Sequence, residues 1–130
     1  MATPFTHKNI KEAKDSAPDM GFGEVGEMRF AGSELDASDT GFTYHRLDPN
    51  VPGGFGHRHQ DAEEVYFVIS GSGRAKLDDE IIEIAELDVI RVAPETWRGF
   101  SSGPDGLEVV AFGPHHEGDG EIDPEWWDDK

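Results

Sequence analysis

The sequence predicts an all-β protein with an antiparallel sandwich or barrel. Short segments in which apolar and polar residues alternate recur along the chain, and clusters of glycine, proline and aspartate separate them at close, regular spacing. No segment shows the apolar repeat of an amphipathic helix. A chain of 130 residues is large enough for one barrel core and too small for two. A single domain without internal repeats is therefore expected.

The N-terminal part of the chain is predicted to be an arm that leads into the first strand. The arm is assigned to residues 1–25. Residues 1–20 mix lysines with prolines and show no sustained period, so at most one helical turn is expected, around Asn9–Lys14. The barrel is assigned to residues 26–113, and the alternation over Gly21–Phe30 predicts its first strand. Ser33–Asp39 is polar and acidic, which predicts a turn or a single helical turn.

The same alternation predicts the later strands. The turn at residues 78–80 separates two apolar segments, which is typical of a hairpin. Ser101–Gly106 is polar and is predicted to be a loop before the last strand, and residues 114–130 are assigned to an acidic C-terminal tail. The predicted strands in this part are Phe42–Leu47, Gly73–Leu77, Ile81–Ile84, Asp88–Val92, Trp97–Phe100 and Leu107–Phe112.

One stretch, Gly53–Gly71, concentrates the side chains that carry chemistry. A glycine-rich turn leads into His57 and His59, and an acidic pair and an apolar run follow. In a strand, side chains two residues apart point to the same face, so the two imidazoles can aim at one point. If the chain then turns back, Glu64 lies on the neighbouring strand and its carboxylate can join them. Two imidazoles and a carboxylate form part of a divalent-metal shell, with water or substrate in the open positions.

Strand parity also predicts which residues after Glu64 line the barrel. Tyr66 and Val68 share the inward face with Glu64, whereas the outward face is apolar and carries Val65, Phe67 and Ile69. A strand that is apolar on both sides is normally buried on both sides. The outward face therefore needs a cover, which the N-terminal arm, the C-terminal tail or a second subunit could provide.

The run His57-x-His59-x4-Glu64-x6-Gly71 resembles the first motif of the cupin superfamily. The resemblance implies a small single-domain cupin, which is an antiparallel double-stranded β-helix or jelly-roll barrel. It also implies a metal site at His57, His59 and Glu64, completed in the family by a later histidine. Because cupins include isomerases, dioxygenases, decarboxylases, sensors and storage proteins, the resemblance says little about the reaction.

Residues 87–100 resemble the second cupin motif, with three departures. Leu87 and Glu95 stand where the family usually has glycine, and Arg98 stands where it has its last metal-binding histidine. Arginine keeps its charge at any accessible pH and cannot ligate a metal. At about 5 Å and an effective dielectric of about 20, its charge repels a dication by roughly 6 to 7 kcal/mol, and one glutamate offsets only about half of that. A metal alone is therefore disfavoured beside Arg98.

Two arrangements are compatible with this repulsion. In the first, no metal binds, and Arg98 pairs with Glu64 beside the two histidines in a polar pocket. In the second, Arg98 turns toward the mouth of the barrel and clamps an anionic substrate that it shares with a divalent metal (iron, manganese, nickel or zinc) held by His57, His59 and Glu64.

Two classes of function follow. The first is a binding protein whose barrel pocket holds a small polar or anionic metabolite through Arg98, Tyr66 and Phe100, with or without a divalent metal. The alternative is a metal-dependent enzyme of the dioxygenase or isomerase class that acts on a small oxygen-rich acid or sugar derivative. A plain core role is equally compatible with Tyr66 and Phe100, and His45 is interpreted as a surface or packing residue. The metal content of protein prepared without chelator distinguishes the two classes.

The composition is strongly acidic. Aspartate and glutamate total 28 against 11 lysines and arginines, a formal net charge of −17 at pH 7. Such a surface repels nucleic acid, so nucleic-acid binding is excluded as a function. At molar ionic strength the Debye length falls to about 3 Å and like charges hardly interact. We therefore expect a halophile's protein, with an ordinary acidic protein as the alternative; only the first is expected to unfold at low salt.

The sequence predicts a cytoplasmic protein. Its lack of cysteine excludes disulfides and thiol chemistry. The N-terminus has no basic patch followed by an apolar run, and no run of about eighteen apolar residues occurs, so neither export nor a membrane span is expected.

The C-terminal residues carry two further features. Two adjacent tryptophans, Trp126 and Trp127, are too apolar to be left in water, so at least one is expected to dock on the barrel or on a second subunit. His115 and His116 could instead add to the metal shell. Small cupins are commonly dimers, so the resemblance and the apolar outward face both favour a homodimer.

Overall fold

The structure, a computed structural model, describes residues 4–115 and 118–127 and confirms the all-β prediction. Helix within these residues is limited to two short 3-10 turns, Ile10–Glu12 and Pro18–Met20, and to one helical turn, α1 (Ala31–Glu34). The strands are β1 (Gly26–Phe30), β2 (Thr40–Leu47), β3 (Gly56–His59), β4 (Glu64–Leu77), β5 (Glu80–Ala85), β6 (Val89–Val92), β7 (Arg98–Pro114) and β8 (Gly120–Asp123).

The strands form one antiparallel sheet that folds over into two layers. The long strands β4 and β7 pair along most of their length, and both pass from one layer into the other. The first layer has the order β1-β2-β7-β4-β6 and uses the C-terminal half of β7 with the N-terminal half of β4. The second layer has the order β8-β3-β7-β4-β5 and uses the other halves of the two long strands.

The bend between the layers depends on glycine. Gly71 of β4 has a φ of 84°, and a Cβ there would overlap the carbonyl oxygen of Gly106 on β7. A Cβ at Gly73 would likewise overlap the carbonyl oxygen of Ser101. The predicted loop at Ser101–Gly106 is wrong, because Ser101 and Ser102 stay paired with β4 through the bend. A backbone ladder can continue through polar residues, so side-chain polarity alone was a poor guide here.

The core lies between the two layers. Tyr66 and Val68, the residues predicted to face inward, are 1% and 0% exposed. They belong to a buried cluster with Ala75 and Ile84 of the second layer. The remaining buried members of this cluster are Val92, Leu107, Val109 and Ala111.

The N-terminal segment packs on the outer face of the first layer. The predicted helical turn is present as Ile10–Glu12, which begins at a capping box formed by Asn9 and Glu12. Further along, Arg29 of β1 donates a 2.6 Å hydrogen bond to the Ala13 carbonyl. This segment covers the side of the layer near β1, while Phe112, Val89 and Ile69 stay 38%, 67% and 39% exposed.

The C-terminal residues 118–127, here called the C-terminal strap, pack against the second layer. Strand β8 lies within the residues that were assigned to the acidic tail, and it pairs with β3. The backbone N–H of Trp127 donates to the Gly54 carbonyl at 3.0 Å, and the Lys76 ammonium donates to the Trp126 backbone carbonyl at 2.9 Å. Both tryptophans therefore dock on the barrel, which confirms that expectation. Within the described residues there is no helix with the length and apolar character needed to cross a bilayer.

Candidate metal and ligand site

His57, His59 and Glu64 lie together inside the barrel, as the spacing predicts. The two histidines project from β3 in the second layer, whereas Glu64 begins β4 in the first. β3 is hydrogen-bonded to β7 and β8 and not to β4, so the carboxylate does not come from the neighbouring strand as expected. The residues between the two strands carry the chain from one layer to the other, and the three side chains meet across the barrel.

The three side chains converge on one carboxylate oxygen. Oε1 of Glu64 lies 3.4 Å from Nε2 of His57 and 3.3 Å from Nε2 of His59. The hydroxyl of Tyr66 donates to the same oxygen at 2.6 Å and lies 3.3 Å from Nε2 of His57. Tyr66 is therefore part of the polar cluster and does not serve only as apolar packing.

The cluster has an anionic carboxylate and an imidazole that burial keeps neutral. Burial alone would raise the pKa of Glu64, but its contacts with His57, His59 and Tyr66 outweigh this and hold the pKa well below its usual range. Burial lowers the pKa of His57, and the nearby charges of Arg98 and His59 add to this effect against that of Glu64. Burial and the charge of Glu64 raise the pKa of Tyr66, so its hydroxyl keeps its proton.

The arrangement fits a divalent metal. Ligand atoms at about 2.1 Å from one ion lie about 3.0 to 3.4 Å apart in octahedral and tetrahedral geometry. The two histidine-to-glutamate separations of 3.4 and 3.3 Å match this range. In addition, both ring nitrogens of His59 are buried without a hydrogen-bond partner. Buried polar atoms that lack partners are uncommon, and a metal would satisfy one of them.

A buried carboxylate stands behind His59. Oδ2 of Asp119 lies 3.2 Å from Nδ1 of His59, on the opposite side of the ring from Glu64, and its side chain is only 3% exposed. Asp119 belongs to the C-terminal strap and was not predicted as a site residue. The sequence signal for it was weak, because it is one acid among many near the C-terminus.

Arg98 adopts neither of the two predicted arrangements. It is 0% exposed, and its guanidinium donates to the carbonyls of Ala93 at 3.0 Å and Pro94 at 3.5 Å. No ion pair joins it to Glu64 in the described part of the chain, and it does not reach the mouth of the barrel. Its Nε is buried without a partner, so the guanidinium contributes positive charge to the interior without a direct acidic partner.

Two adjoining cavities open beside the cluster. One, of about 350 Å³, is lined by His57, His59, Glu64 and Tyr66, and the other, of about 310 Å³, is lined by Arg98, Phe100 and mainly apolar residues. The residues that line both are His45, Phe55 and His57. Phe100 also packs against Tyr66 with ring centroids 5.0 Å apart.

His45 faces this interior and was not predicted as a site residue. Burial lowers its pKa to about 4, and the neighbouring His57 acts in the same direction. Its ring is therefore neutral at physiological pH. Strand parity could have predicted this position, because successive side chains of β2 point to opposite faces of the sheet, which places His45 on the face opposite to that of Tyr44. The alternative ligands His115 and His116 remain unsupported: His115 is outside the cluster, and His116 lies outside the described residues.

Fold and site together define a small two-layered β-barrel protein with a histidine–glutamate cluster in its interior. Several solved structures have a similar architecture. The polyketide cyclase RemF from Streptomyces resistomycificus matches over 93% of this chain and 84% of its own, with a TM-score of 0.72 and 18% identity. A cupin protein, BF4112, from Bacteroides fragilis matches over 99% of this chain and 98% of its own, with a TM-score of 0.62 and 18% identity.

Oxalate decarboxylase from Bacillus subtilis matches over 93% of this chain but only 32% of its own length, with a TM-score of 0.73 and 18% identity. The protein therefore has the cupin fold, as the sequence motifs indicated. No family model matches the chain. Among curated sequences, an uncharacterized protein, MJ1618, from Methanocaldococcus jannaschii is 38% identical over 40 residues, which span 31% of this chain and 32% of that protein.

Proposed function

We propose that this protein binds a divalent metal through His57, His59 and Glu64 and uses it to hold a small anionic metabolite inside the barrel. The observation that carries the proposal is the convergence of both imidazole nitrogens on Glu64 at 3.3 and 3.4 Å. These are separations that ligands of a single ion adopt. Iron, manganese, nickel and zinc all accept this ligand set.

The balance of buried charges supports an anionic ligand. The carboxylates of Glu64 and Asp119 and the guanidinium of Arg98 are the ionised groups in and behind the cluster. Together they leave a negative charge, which a divalent ion reverses to positive. An uncompensated buried charge is costly, so a monoanionic ligand such as a carboxylate would restore neutrality. Arg98 borders the cavity of about 310 Å³ but has no exposed surface, so its contribution here is its positive charge.

The cavities suit a small molecule with a polar end and an apolar body. The polar end lies beside Tyr66 and the cluster in the cavity of about 350 Å³. The body extends past His45 into the cavity of about 310 Å³, against Phe100. Tyr66 and Phe100 therefore contribute contact area, and His45 offers a neutral ring at the junction.

A metal-dependent enzyme is the second candidate, because of Tyr66. Its protonated hydroxyl lies at hydrogen-bond distance from the cluster, where it could donate to a bound oxygen atom of a substrate. In this reading the metal supplies Lewis acidity or O2 chemistry toward an oxygen-rich acid or sugar derivative. The neighbours oxalate decarboxylase and RemF are enzymes by their names, but at 18% identity they support the fold alone.

Metal binding is tested on protein stripped with chelator. The melting temperature is followed while Mn(II), Fe(II), Ni(II) or Zn(II) is added singly, and metal content is measured in protein prepared without chelator. At a free metal concentration of about 100 times Kd, we expect about 2.7 kcal/mol of added stability. A panel of small carboxylates added next should stabilise the metal-loaded protein further.

Two variants complete the experiment. His57→Ala should lose the metal-dependent stabilisation, whereas His7→Ala, at an exposed position remote from the cluster, should keep it. If no metal is retained and none shifts the melting temperature of the wild-type protein, the metal proposal fails. If metal raises the melting temperature but the carboxylates do not raise it further, only the proposed anionic ligand is contradicted.

We also propose that a second copy of the chain covers the outer apolar face, defined as Val65, Phe67, Ile69, Val89 and Phe112. Strand β6, at the margin of this face, pairs only with β4 among the described strands, so its other edge is free to pair across a two-fold axis.

Cytoplasmic location and adaptation to high salt remain predictions from the sequence.

A further inference from the structure

The C-terminal strap reaches the candidate site from outside the two sequence motifs. In the β3–β8 ladder His59 lies opposite Gly120, so Asp119, the residue before Gly120, lies immediately beyond the end of the paired segment. Its backbone carbonyl accepts from the Gln60 N–H at 3.2 Å. The register of β8 thus determines what stands behind the imidazole of His59.

The Asp119 carboxylate is held in place by the turn that follows β3. Oδ1 accepts from the N–H groups of Gln60 and Asp61, each at 2.9 Å, and Oδ2 accepts from the Ala62 N–H at 3.0 Å. With three backbone N–H groups donating to its two oxygens, the carboxylate is placed as a hydrogen-bond acceptor.

The strap is itself anchored by its tryptophans. A Cβ at Gly53 would overlap the ring of Trp127, and a Cβ at Gly56 would overlap that of Trp126. The ring of Trp126 also stacks on Trp97, with centroids 5.6 Å apart. Contacts this close leave the strap little freedom to slide along β3.

We propose that Asp119 is a positioning residue, which accepts the Nδ1 proton of His59 and so leaves the Nε2 lone pair free for a metal. The inference rests on the proposed metal site. Nδ1 and Oδ2 are 3.2 Å apart without being aligned as a hydrogen bond, so the proposal requires the ring of His59 to turn toward Oδ2. Metal-binding histidines commonly donate their second ring nitrogen to a carboxylate, which fixes the tautomer. The strap would thus complete the site.

The first test needs no metal. Long-range 1H–15N correlation spectra of metal-free protein report whether Nδ1 or Nε2 of His59, or both, carry a proton. We expect the proton on Nδ1 in the wild-type protein, because the competing Oε1 of Glu64, 3.3 Å from Nε2, already receives the Tyr66 hydroxyl and faces His57. Asp119→Asn cannot satisfy all four donors, because one of its oxygens becomes an amide group that donates. We therefore expect His59 to move toward the Nε2-protonated tautomer in this variant.

The second test measures metal affinity by calorimetry. Asp119→Asn should weaken Zn(II) binding by about 10- to 100-fold. Glu121→Gln is the matched control, since Glu121 lies on the same strap but pairs with Arg58 at the surface. It should leave both the tautomer and the affinity unchanged.

The outcomes separate the two proposals. A wild-type His59 protonated on Nε2 overturns the role of Asp119, and this result does not depend on whether Asp119→Asn folds. Unchanged affinity in a folded Asp119→Asn variant also overturns it. If the tautomer of His59 depends on Asp119 but no metal binds the wild-type protein, the positioning role of Asp119 is supported and the proposed metal site is contradicted.

Discussion

Leu87 has a backbone conformation that suits glycine. Its φ is 74°, in the left-handed region, and it stands where the second cupin motif usually has glycine. Its N–H donates to the Val68 carbonyl at 2.9 Å, which holds the turn between β5 and β6 in place. A side chain with a Cβ is strained in this region by about 1 to 2 kcal/mol. The chain tolerates this strain at an exposed position.

Leu87→Gly is therefore expected to stabilise the protein. Leu87 is 67% exposed, so little buried area is lost, and relief of the strain outweighs the extra chain entropy of glycine. We expect a gain of about 0.5 to 1 kcal/mol in the free energy of unfolding, measured by urea denaturation. Val89→Gly is the control: Val89 is equally exposed but extended, and its loss should destabilise. Lower stability of Leu87→Gly would contradict the strain.

Glu27 ties the N-terminal segment to the first two strands. Its carboxylate receives Lys11 at 2.7 Å, Arg29 at 2.9 Å and Arg46 at 2.6 Å, and its side chain is 12% exposed. Burial raises the pKa of Glu27, but the three cations outweigh it and bring the pKa to about 2. The folded state therefore binds this proton less readily than the unfolded state.

The pH dependence of stability should report this carboxylate. Because the folded pKa lies below the unfolded value of 4.5, the stabilisation is present above that pH and is lost as pH falls toward 2. We expect Glu27→Gln to lose about 2 kcal/mol near neutral pH, and its deficit relative to wild type should shrink below pH 4.5. The exposed Glu24→Gln serves as control in the same urea titrations. A deficit that does not change with pH would count against the ion pairs.

Strand parity predicted the shared face of His57 and His59 and the inward side chains of Glu64 and Tyr66, because local geometry determines where side chains on a strand point. The meeting of Glu64 with the histidines depends instead on the chain crossing from one layer to the other. Asp119 reaches the same place through the pairing of β8 with β3, which no local pattern encodes, whereas parity along β2 could have predicted His45. Arg98 was identified from its motif position, but its bonds to backbone carbonyls depend on how the preceding turn folds.

At the scale of elements, the glycine-rich turn before β3 has a packing role. A Cβ at Gly53 would overlap Trp127, whereas one at Gly54 would meet nothing within 4 Å. From the sequence, this run is expected to be a turn that leads into the histidines. The structure adds that its missing side chains make room for the C-terminal strap.

Alanine substitutions at these two neighbouring glycines test this packing role. Gly53→Ala is expected to destabilise by about 1 to 3 kcal/mol, because the added methyl group must displace a packed indole. Gly54→Ala should be neutral to slightly stabilising. In a Trp127→Ala background the cost of Gly53→Ala should largely disappear, which thermal unfolding of the double mutant would measure. Equal effects of the two alanines would show that the strap does not pack there.

The strands themselves were largely predictable, since alternation of apolar and polar residues is a local signal. Two elements were missed for a shared reason. The bend through Ser101–Gly106 and strand β8 carry few apolar residues, and they become strands only because β4 and β3 supply partners for their backbones. Pairing of this kind depends on the closed fold and leaves no periodic pattern in the sequence.

At the scale of the whole molecule, charge and apolar surface act in opposite directions. The net charge of −17 disfavours association in dilute buffer, while the outer apolar face favours it. Val89 lies opposite Phe67, and Phe112 lies opposite Val65, so these side chains form one continuous patch across β6, β4 and β7. The N-terminal segment covers only the far side of this layer.

The protein should therefore be a dimer whose affinity rises with salt. In molar KCl the Debye length is about 3 Å, so repulsion between two acidic copies is screened while burial of the patch is retained. Light scattering should give twice the chain mass of 14.3 kDa at high salt and a smaller value in dilute buffer. Val89→Glu should yield monomers, because it places a charge within the patch. Ile81→Glu, at a similarly exposed residue of the other layer, should not. A monomer in molar salt would mean that the outer apolar face is not covered by a second copy.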